Sequence, residues 1–563
     1  MSKWTRLLAV LLCVCLLFTA CTSAGEKNKA EYSQEVQNLE KLCLVWGYTK
    51  YTHPVFLTGE KDWDEELLKL IPTVSEAKEE EVNDILHEWF VSLGEIDYGI
   101  SRPASKPVES EAIVQADTGW ILDETYLGAE LSADMQNLGS VPKIDRSRAP
   151  VKFNTGQGVP NFKMENTYAT CSYQTEEERL LGLFRVWNAI EYYFPYIDIM
   201  DESWHDLLRE FIPKMLQASD LQSFELTIYE LTAHLHDGHT ILINSQTLND
   251  VFGKYVAPVN MLRTKEGQWV VSDLFWDCPL QVGDVILKLD GTDIKEVEEN
   301  RKKYISVPND EKLLNRLGAY LLRSQDEEME ITVLRDEKEQ TYTVKRTTQY
   351  KYFARTIETS HEILDGNIGL INPGALPKGN TGTVVQQIMN DLRDTDGLIV
   401  DLRQYPSDTN MHTFLSMYLQ RAGTVYNIMT VPSQSVPGTF TKQKMVSMGV
   451  TPAIFYYEKL VVVLMDELSV SNSEFSIMDL RTGDHVVVLG NNSLGTDGDI
   501  TELPLPNGNI LWFTSCSVYT PEMGQTQRIG LTPDIEVYPT VEGIKEGRDE
   551  LMEATVEYIQ EQK

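Results

Sequence analysis

Apolar positions along this chain change their period twice, and the changes divide it into regions of different architecture. Up to about residue 239 they recur at helical spacing, as at Leu183, Val186, Trp187 and Ile190, which predicts small helical units. From about 250 the pattern turns to short β-rich runs such as "WVVSDLF" (269–275) and "MEITVLR" (329–335). Between these two runs, "LQVGDVILKLDGTDI" (280–294) reads as a tight turn, a buried strand and a second turn at Asp290-Gly291. From about 350 to 540 continuous Val/Ile/Leu runs alternate with helical stretches: "IGLI" (368–371), a helix near 381–394, "GLIVDLR" (397–403), "KLVVVLMD" (459–466), a helix from about 472, and "HVVVLG" (485–490). That alternation predicts an α/β layer with a mostly parallel sheet, whose sites form at the carboxyl ends of the strands.

The helical region repeats itself. "VWGYTKYTHP" (45–54) matches "VWNAIEYYFP" (186–195), and the spacing to the next tryptophan (Trp63, Trp204) and to Ile71-Pro72 and Ile212-Pro213 is the same in both copies. The copies part at their ends: the first closes "LGEIDYG" (93–99), the second "LHDGH" (235–239). The histidine is therefore not required by the helical scaffold. Residues 100–178 hold prolines and glycines with little clean periodicity and read as a connecting segment with short strands.

At 563 residues the chain is too long for one core and predicts two to four domains. With 42% apolar and 24% charged residues it has ordinary globular composition. The net charge of -36 argues against nucleic acid as a partner and against electrostatic docking on anionic lipid, since both need basic patches. The N-terminus carries Lys3 and Arg6, an apolar run from Leu7 to Ala20, and Cys21 before small polar residues. The run is short for a membrane span and predicts a cleaved export signal. "LFTAC" (17–21) resembles a bacterial lipobox, which makes Cys21 the expected lipidated first residue of an extracytoplasmic, membrane-anchored protein. The cysteines beyond it, Cys43, Cys171, Cys278 and Cys516, are far apart and form no zinc ribbon or disulfide scaffold.

Two stretches carry candidate chemistry. "AHLHDGHT" (233–240) holds three of the nine histidines and admits three readings: a metal site, a general base, or an inert helix end. A zinc site needs a further ligand, and no second His/Asp/Glu motif accompanies it, so neither a metal nor any other cofactor is expected. "MDELSVSNSEFS" (465–476) follows a buried strand and opens a helix, where a serine hydroxyl is exposed and helix N–H groups face any oxyanion that forms. The plain alternative is an N-cap at Ser469, Ser471 or Ser473, with Glu474 completing a capping box with Ser471.

Together the motifs "LHDGHT" (235–240), "VGDVILKLDG" (282–291), "GLIVDLRQYPSD" (397–408), "SVSNSE" (469–474), "LGNNSLGTDGDI" (489–500) and "TQRIGLTPDIEV" (526–537) resemble, in order, the S41 family of serine peptidases. That family includes the C-terminal-processing and tricorn-core proteases, and the N-terminal unit and the tail (539–559) resemble a lipoprotein-bearing branch of it. The resemblance implies a multidomain α/β chain with N-terminal helical units, a PDZ-like β-rich domain and an α/β protease core of ClpP/crotonase type. The expected boundaries are 1–21 signal, 22–38 tether, 39–100 and 179–248 the two helical units with 101–178 between them, 249–348 PDZ-like, 349–545 peptidase core and 546–563 a C-terminal helix.

The resemblance further implies Ser471 as nucleophile, with Ser469 where the family usually has threonine. The lysine that activates the serine in the processing branch is replaced by Thr496, which points to the tricorn-like alternative, a histidine base at His239. The family's acid near the last motif is missing. Gln527, Gln525 and Asp497 are the candidates to orient the histidine, and the sequence does not choose among them. The oxyanion hole is expected from the backbone N–H of Asn472 and of Ser407 or Asp408, since "QYPSD" (404–408) lacks the family's glycine pair. The implied partner is an extended polypeptide substrate captured by the PDZ-like domain. The competing expectation is a catalytically silent peptide-binding lipoprotein on the same scaffold.

Overall fold

The computed structural model describes residues 32–96, 111–138, 145–154, 158–310, 312–348, 359–451 and 454–563. The segment expected to be an export signal, with Cys21, lies outside these residues. Among the described residues no helix is long and apolar enough to cross a membrane. The chain is a multidomain α/β protein built on several sheets.

Each repeat copy folds as three helices. Gln34–Thr52, Trp63–Ser75 and Glu79–Ser92 are answered by Glu176–Tyr193, Trp204–Gln217 and Leu221–Ala233. The shared tryptophan spacing has a physical cause. Trp46 Nε1–H donates to the Trp63 carbonyl (2.8 Å), and Trp187 Nε1–H donates to the Trp204 carbonyl (2.9 Å), locking the first helix to the second in both copies. The copies also meet through equivalent residues. Tyr51 packs edge-on against Tyr192, and a Cβ on Gly47 would lie 1.7 Å from the Asn188 side chain, so the long helices can cross this closely only with glycine there. Between them Lys50–Glu165 (2.6 Å), Arg185–Asp64 (2.6 Å) and Arg185–Glu165 (3.2 Å) form a fully buried ion-pair cluster. Its carboxylates and cations balance one another's charge away from water.

Glu165 fastens the segment between the copies into this core, and that segment differs from the expectation. It contains a ten-residue helix, Ala129–Leu138, whose Leu131, Met135 and Leu138 are buried against the repeat helices. Only three apolar residues mark the inward stripe, too few in the sequence to reveal a helix among prolines and glycines.

The β-rich region forms an antiparallel sheet in the order Lys338–Lys345, Glu328–Arg335, Val285–Leu289, Trp269–Leu274, Val259–Arg263, and the last strand lies at its edge. The C-terminal α/β region carries a six-stranded sheet: His361–Leu364, Ile368–Ile371, Gly397–Asp401, Val461–Met465, Val486–Gly490 and Ile535–Glu536. All neighbours are parallel except the first pair. Both faces are covered, which is why these strands read as continuous apolar runs. Val461, Val463 and Met465 face the helices Thr381–Asp391, Met411–Leu419 and Asn472–Leu480, while Val462 and Leu464 face the C-terminal helix Glu550–Glu561.

A small sheet joins the ends of the chain's long connections. Ile241–Leu242, directly after the second helical copy, pairs antiparallel with Ile510–Thr514, which pairs with Ile500–Pro504. This pairing delivers the histidine stretch to the α/β region.

Candidate active site

Ser471 stands where the strand Val461–Met465 gives way to the helix Asn472–Leu480. The capping box with Glu474 is present, and the carboxylate accepts the Ser471 N–H at 3.3 Å. Capping does not account for the backbone. The N-caps Ser33, Thr175 and Ser203 have φ of -58°, -90° and -63°, whereas Ser471 has φ 54° and ψ -118°. A non-glycine residue held there costs on the order of 1–3 kcal/mol, and such strain concentrates where a side chain must be presented. What holds it is the buried Glu474 carboxylate, which also accepts from Gly495 N–H (2.9 Å), Thr496 N–H (3.0 Å) and Ser493 Oγ–H (2.5 Å). Burial raises the Glu474 pKa, and these bonds oppose the rise.

The histidine stretch reaches this turn through one residue. Thr496 accepts the Ser471 N–H on its carbonyl (2.8 Å) and the Gly238 N–H on its hydroxyl (3.0 Å). A Cβ at Gly238 would come within 2.6 Å of that hydroxyl, so glycine permits the contact. Thr496, where the resemblance led one to look for a lysine, is thus the pin between the two turns.

The register of the small sheet fixes the next contact. Ile241 lies opposite Trp512, so two residues back His239 lies opposite Thr514. His239 Nδ1 is 2.8 Å from Thr514 Oγ1, and that hydroxyl donates to Asp237 Oδ1 at 2.8 Å. Asp237 is buried, and its carboxylate also accepts from Thr514 N–H (2.9 Å), Thr240 Oγ1–H (2.9 Å) and His239 N–H (3.1 Å). Desolvation lowers the His239 pKa to about 4, Asp237 opposing and Arg316 assisting the shift.

The three candidates for orienting His239 make no hydrogen bond to its ring. Gln527 turns its amide to Asp237 Oδ1 at 3.4 Å, and Gln525 donates to the Gln527 carbonyl (2.8 Å). Asp497 is buried, accepts Gly498 N–H (2.7 Å) and leaves Oδ2 without a partner. Its pKa is held well above the carboxylate range by burial and then by Glu474. These expectations are corrected: Thr514, at the end of the strand Ile510–Thr514, meets the ring. Only its alternation in "ILWFT" hinted that it faced away from Leu511 and Phe513.

The oxyanion donors divide. The Ser407 N–H donates to the Pro373 carbonyl (3.0 Å) and its hydroxyl donates to the Leu376 carbonyl (2.7 Å), so this N–H is engaged in holding its own loop. The expectation for Ser407 fails because the loop without glycine folds back on residues 373–376. The Asn472 N–H and the Ser471 side chain both face the hydroxyl of Tyr405, a residue whose side the sequence did not single out. Ser469, in contrast, is structural: it is fully buried and donates to the Leu402 carbonyl (2.9 Å).

The other histidines of the stretch point elsewhere. The helix ends at Ala233, so helical geometry does not govern them. His234 meets Glu202 (3.3 Å), and His236 meets the Val307 carbonyl (3.1 Å) and Asp201 (3.1 Å). Among the described residues no group of three or more His, Cys, Asp or Glu is placed to hold a metal ion. The four cysteines there are free, with Cys43 and Cys516 buried.

Residues 367–537 match the family model described as peptidase family S41. Among curated proteins none matches the chain. Among solved structures, mature CPAF is similar at 12% identity and a TM-score of 0.53, covering 68% of this chain and 96% of that one. Mature CPAF complexed with lactacystin is similar at 13% identity and a TM-score of 0.52, covering 69% and 97%. At these identities the likeness is one of fold.

Proposed function

We propose, from the match of residues 367–537 to the model of peptidase family S41, that this chain is a serine-type hydrolase of that family and an exported, membrane-anchored endopeptidase. It cuts peptide bonds of extended polypeptides by a Ser-His mechanism. The observation that carries the reading is Thr496, which ties the strained Ser471 turn to the turn presenting His239. Ser471 Oγ attacks the scissile carbonyl, His239 Nε2 takes its proton and returns it to the leaving amine, and the Asn472 N–H holds the oxyanion. The substrate carbonyl displaces the Tyr405 hydroxyl from that N–H. Because burial keeps His239 neutral through the neutral range, the base is in its working form there.

Substrate capture is assigned to the PDZ-like region. Its edge strand Val259–Arg263 borders a cavity of about 1340 Å³ that extends to Tyr405 and Val470, beside the nucleophile. An extended peptide added to that edge gains main-chain hydrogen bonds and is led toward Ser471. The lipid anchor at Cys21 would hold the enzyme at the outer face of a bacterial membrane.

The silent peptide-binding lipoprotein remains the competing reading, and Tyr405 over the Asn472 N–H favours it. Fluorophosphonate labelling of the purified full-length chain separates the two. Labelling that disappears in Ser471→Ala supports the hydrolase; absence of labelling in the parent chain supports the binder.

A further inference from the structure

We propose that Thr514 and Asp237 are positioning residues that orient His239 through a bridging hydroxyl, in place of an acid bonded directly to the imidazole. The proposal rests on His239 acting as the base. Its footing is the pair of 2.8 Å contacts, His239 Nδ1 to Thr514 Oγ1 and Thr514 Oγ1 to Asp237 Oδ1.

The donors converging on Asp237 set the order of protons. Its two oxygens receive the hydroxyls of Thr514 and Thr240 and the N–H groups of Thr514 and His239, every one a donor, so the carboxylate acts as acceptor throughout. The Thr514 hydroxyl has one hydrogen and spends it on Asp237. Its oxygen therefore accepts from His239 Nδ1–H, which fixes the tautomer and leaves the lone pair on Nε2 for the Ser471 proton. When Nε2 takes that proton, Nδ1–H and the Thr514 O–H stay where they are. The positive ring faces a dipole whose far end rests on a negative charge, and no proton moves beyond the imidazole.

The bridge is a product of strand register. Thr514 lies opposite His239 in the pairing that also matches Ile241 with Trp512, and its β-branched side chain is stiff at χ1, which holds the hydroxyl in place. The missing family acid is thus answered by an aspartate two residues before the histidine, reached from the neighbouring strand. The charged groups acting on the ring are Asp237 from its own turn and Arg316 from the helix Leu314–Leu321.

The test is the second-order rate of fluorophosphonate labelling of the full-length chain, measured against pH, in Thr514→Val, Thr514→Ser and His239→Gln. Thr514→Val keeps the backbone N–H on Asp237 and removes only the bridge. Its plateau is expected to fall roughly 10- to 100-fold. The bridging hydroxyl accepts the Nδ1–H of the charged ring and so favours the imidazolium; without it the acid limb moves to lower pH. Thr514→Ser restores both rate and limb. If His239→Gln is slow while Thr514→Val labels at the parental rate with the parental limb, the relay is overturned and the base reading stands. If His239→Gln labels like the parent, the base reading itself falls and the relay with it.

Discussion

The two helical copies solve the same packing problem and then part. In each, an indole N–H on the first helix closes onto the carbonyl that starts the second, and a proline, Pro72 or Pro213, sits inside that second helix. The next tryptophan already differs. Trp63 donates to Glu165 in the buried ion-pair cluster, whereas Trp204 donates back to the Trp187 carbonyl. After the third helix the second copy alone runs through Asp237-Gly238-His239 into a strand that joins Ile510–Thr514. The scaffold is duplicated, and the candidate chemistry lives in what one copy appends to it.

Three experiments probe that division, from the largest effect down. His239→Gln should cost roughly a thousandfold in Ser471 labelling, while His234→Gln, five residues earlier in the same stretch but on Glu202, should cost nothing measurable. Equal losses would mean that the stretch acts as a unit and the division is wrong. Gly238→Ala places a methyl within 2.6 Å of Thr496 Oγ1 and should push the His239 turn off the Ser471 turn. A shift of that size is expected to cost roughly a hundredfold in labelling with the helical units intact by circular dichroism. Trp46→Phe and Trp187→Phe should each lower stability by about 2 kcal/mol in urea unfolding, alike in both copies, and leave labelling per folded molecule unchanged. A labelling defect confined to Trp187→Phe would show that the second copy's packing, and not only its appended turn, sets the site.

Much of this was legible because period and spacing are local properties. The continuous strands "GLIVD" and "VVVLM" could only be buried on both faces, and the repeat could be aligned by its tryptophans and prolines. The helix Ala129–Leu138 was not legible, because its inward stripe is short and lies among breakers. In the site, Ser471, Asn472 and His239 stand out by motif, while Thr514 belongs to none and Tyr405, though inside "QYPSD", carries no signal of its own; both act by where they arrive.

The sequence by itself determined the order of regions, the two turns that carry Ser471 and His239, and a threonine, Thr496, rather than a lysine in "LGTDGD" (494–499). The tertiary structure alone decided what those turns touch: that Thr496 pins one to the other, that Ser407 spends its N–H on Pro373, and that the ring meets Thr514 rather than a glutamine. The reason is that hydrogen bonds at about 3 Å depend on strand register and loop closure between residues some 275 positions apart, and neither leaves a local trace in the chain.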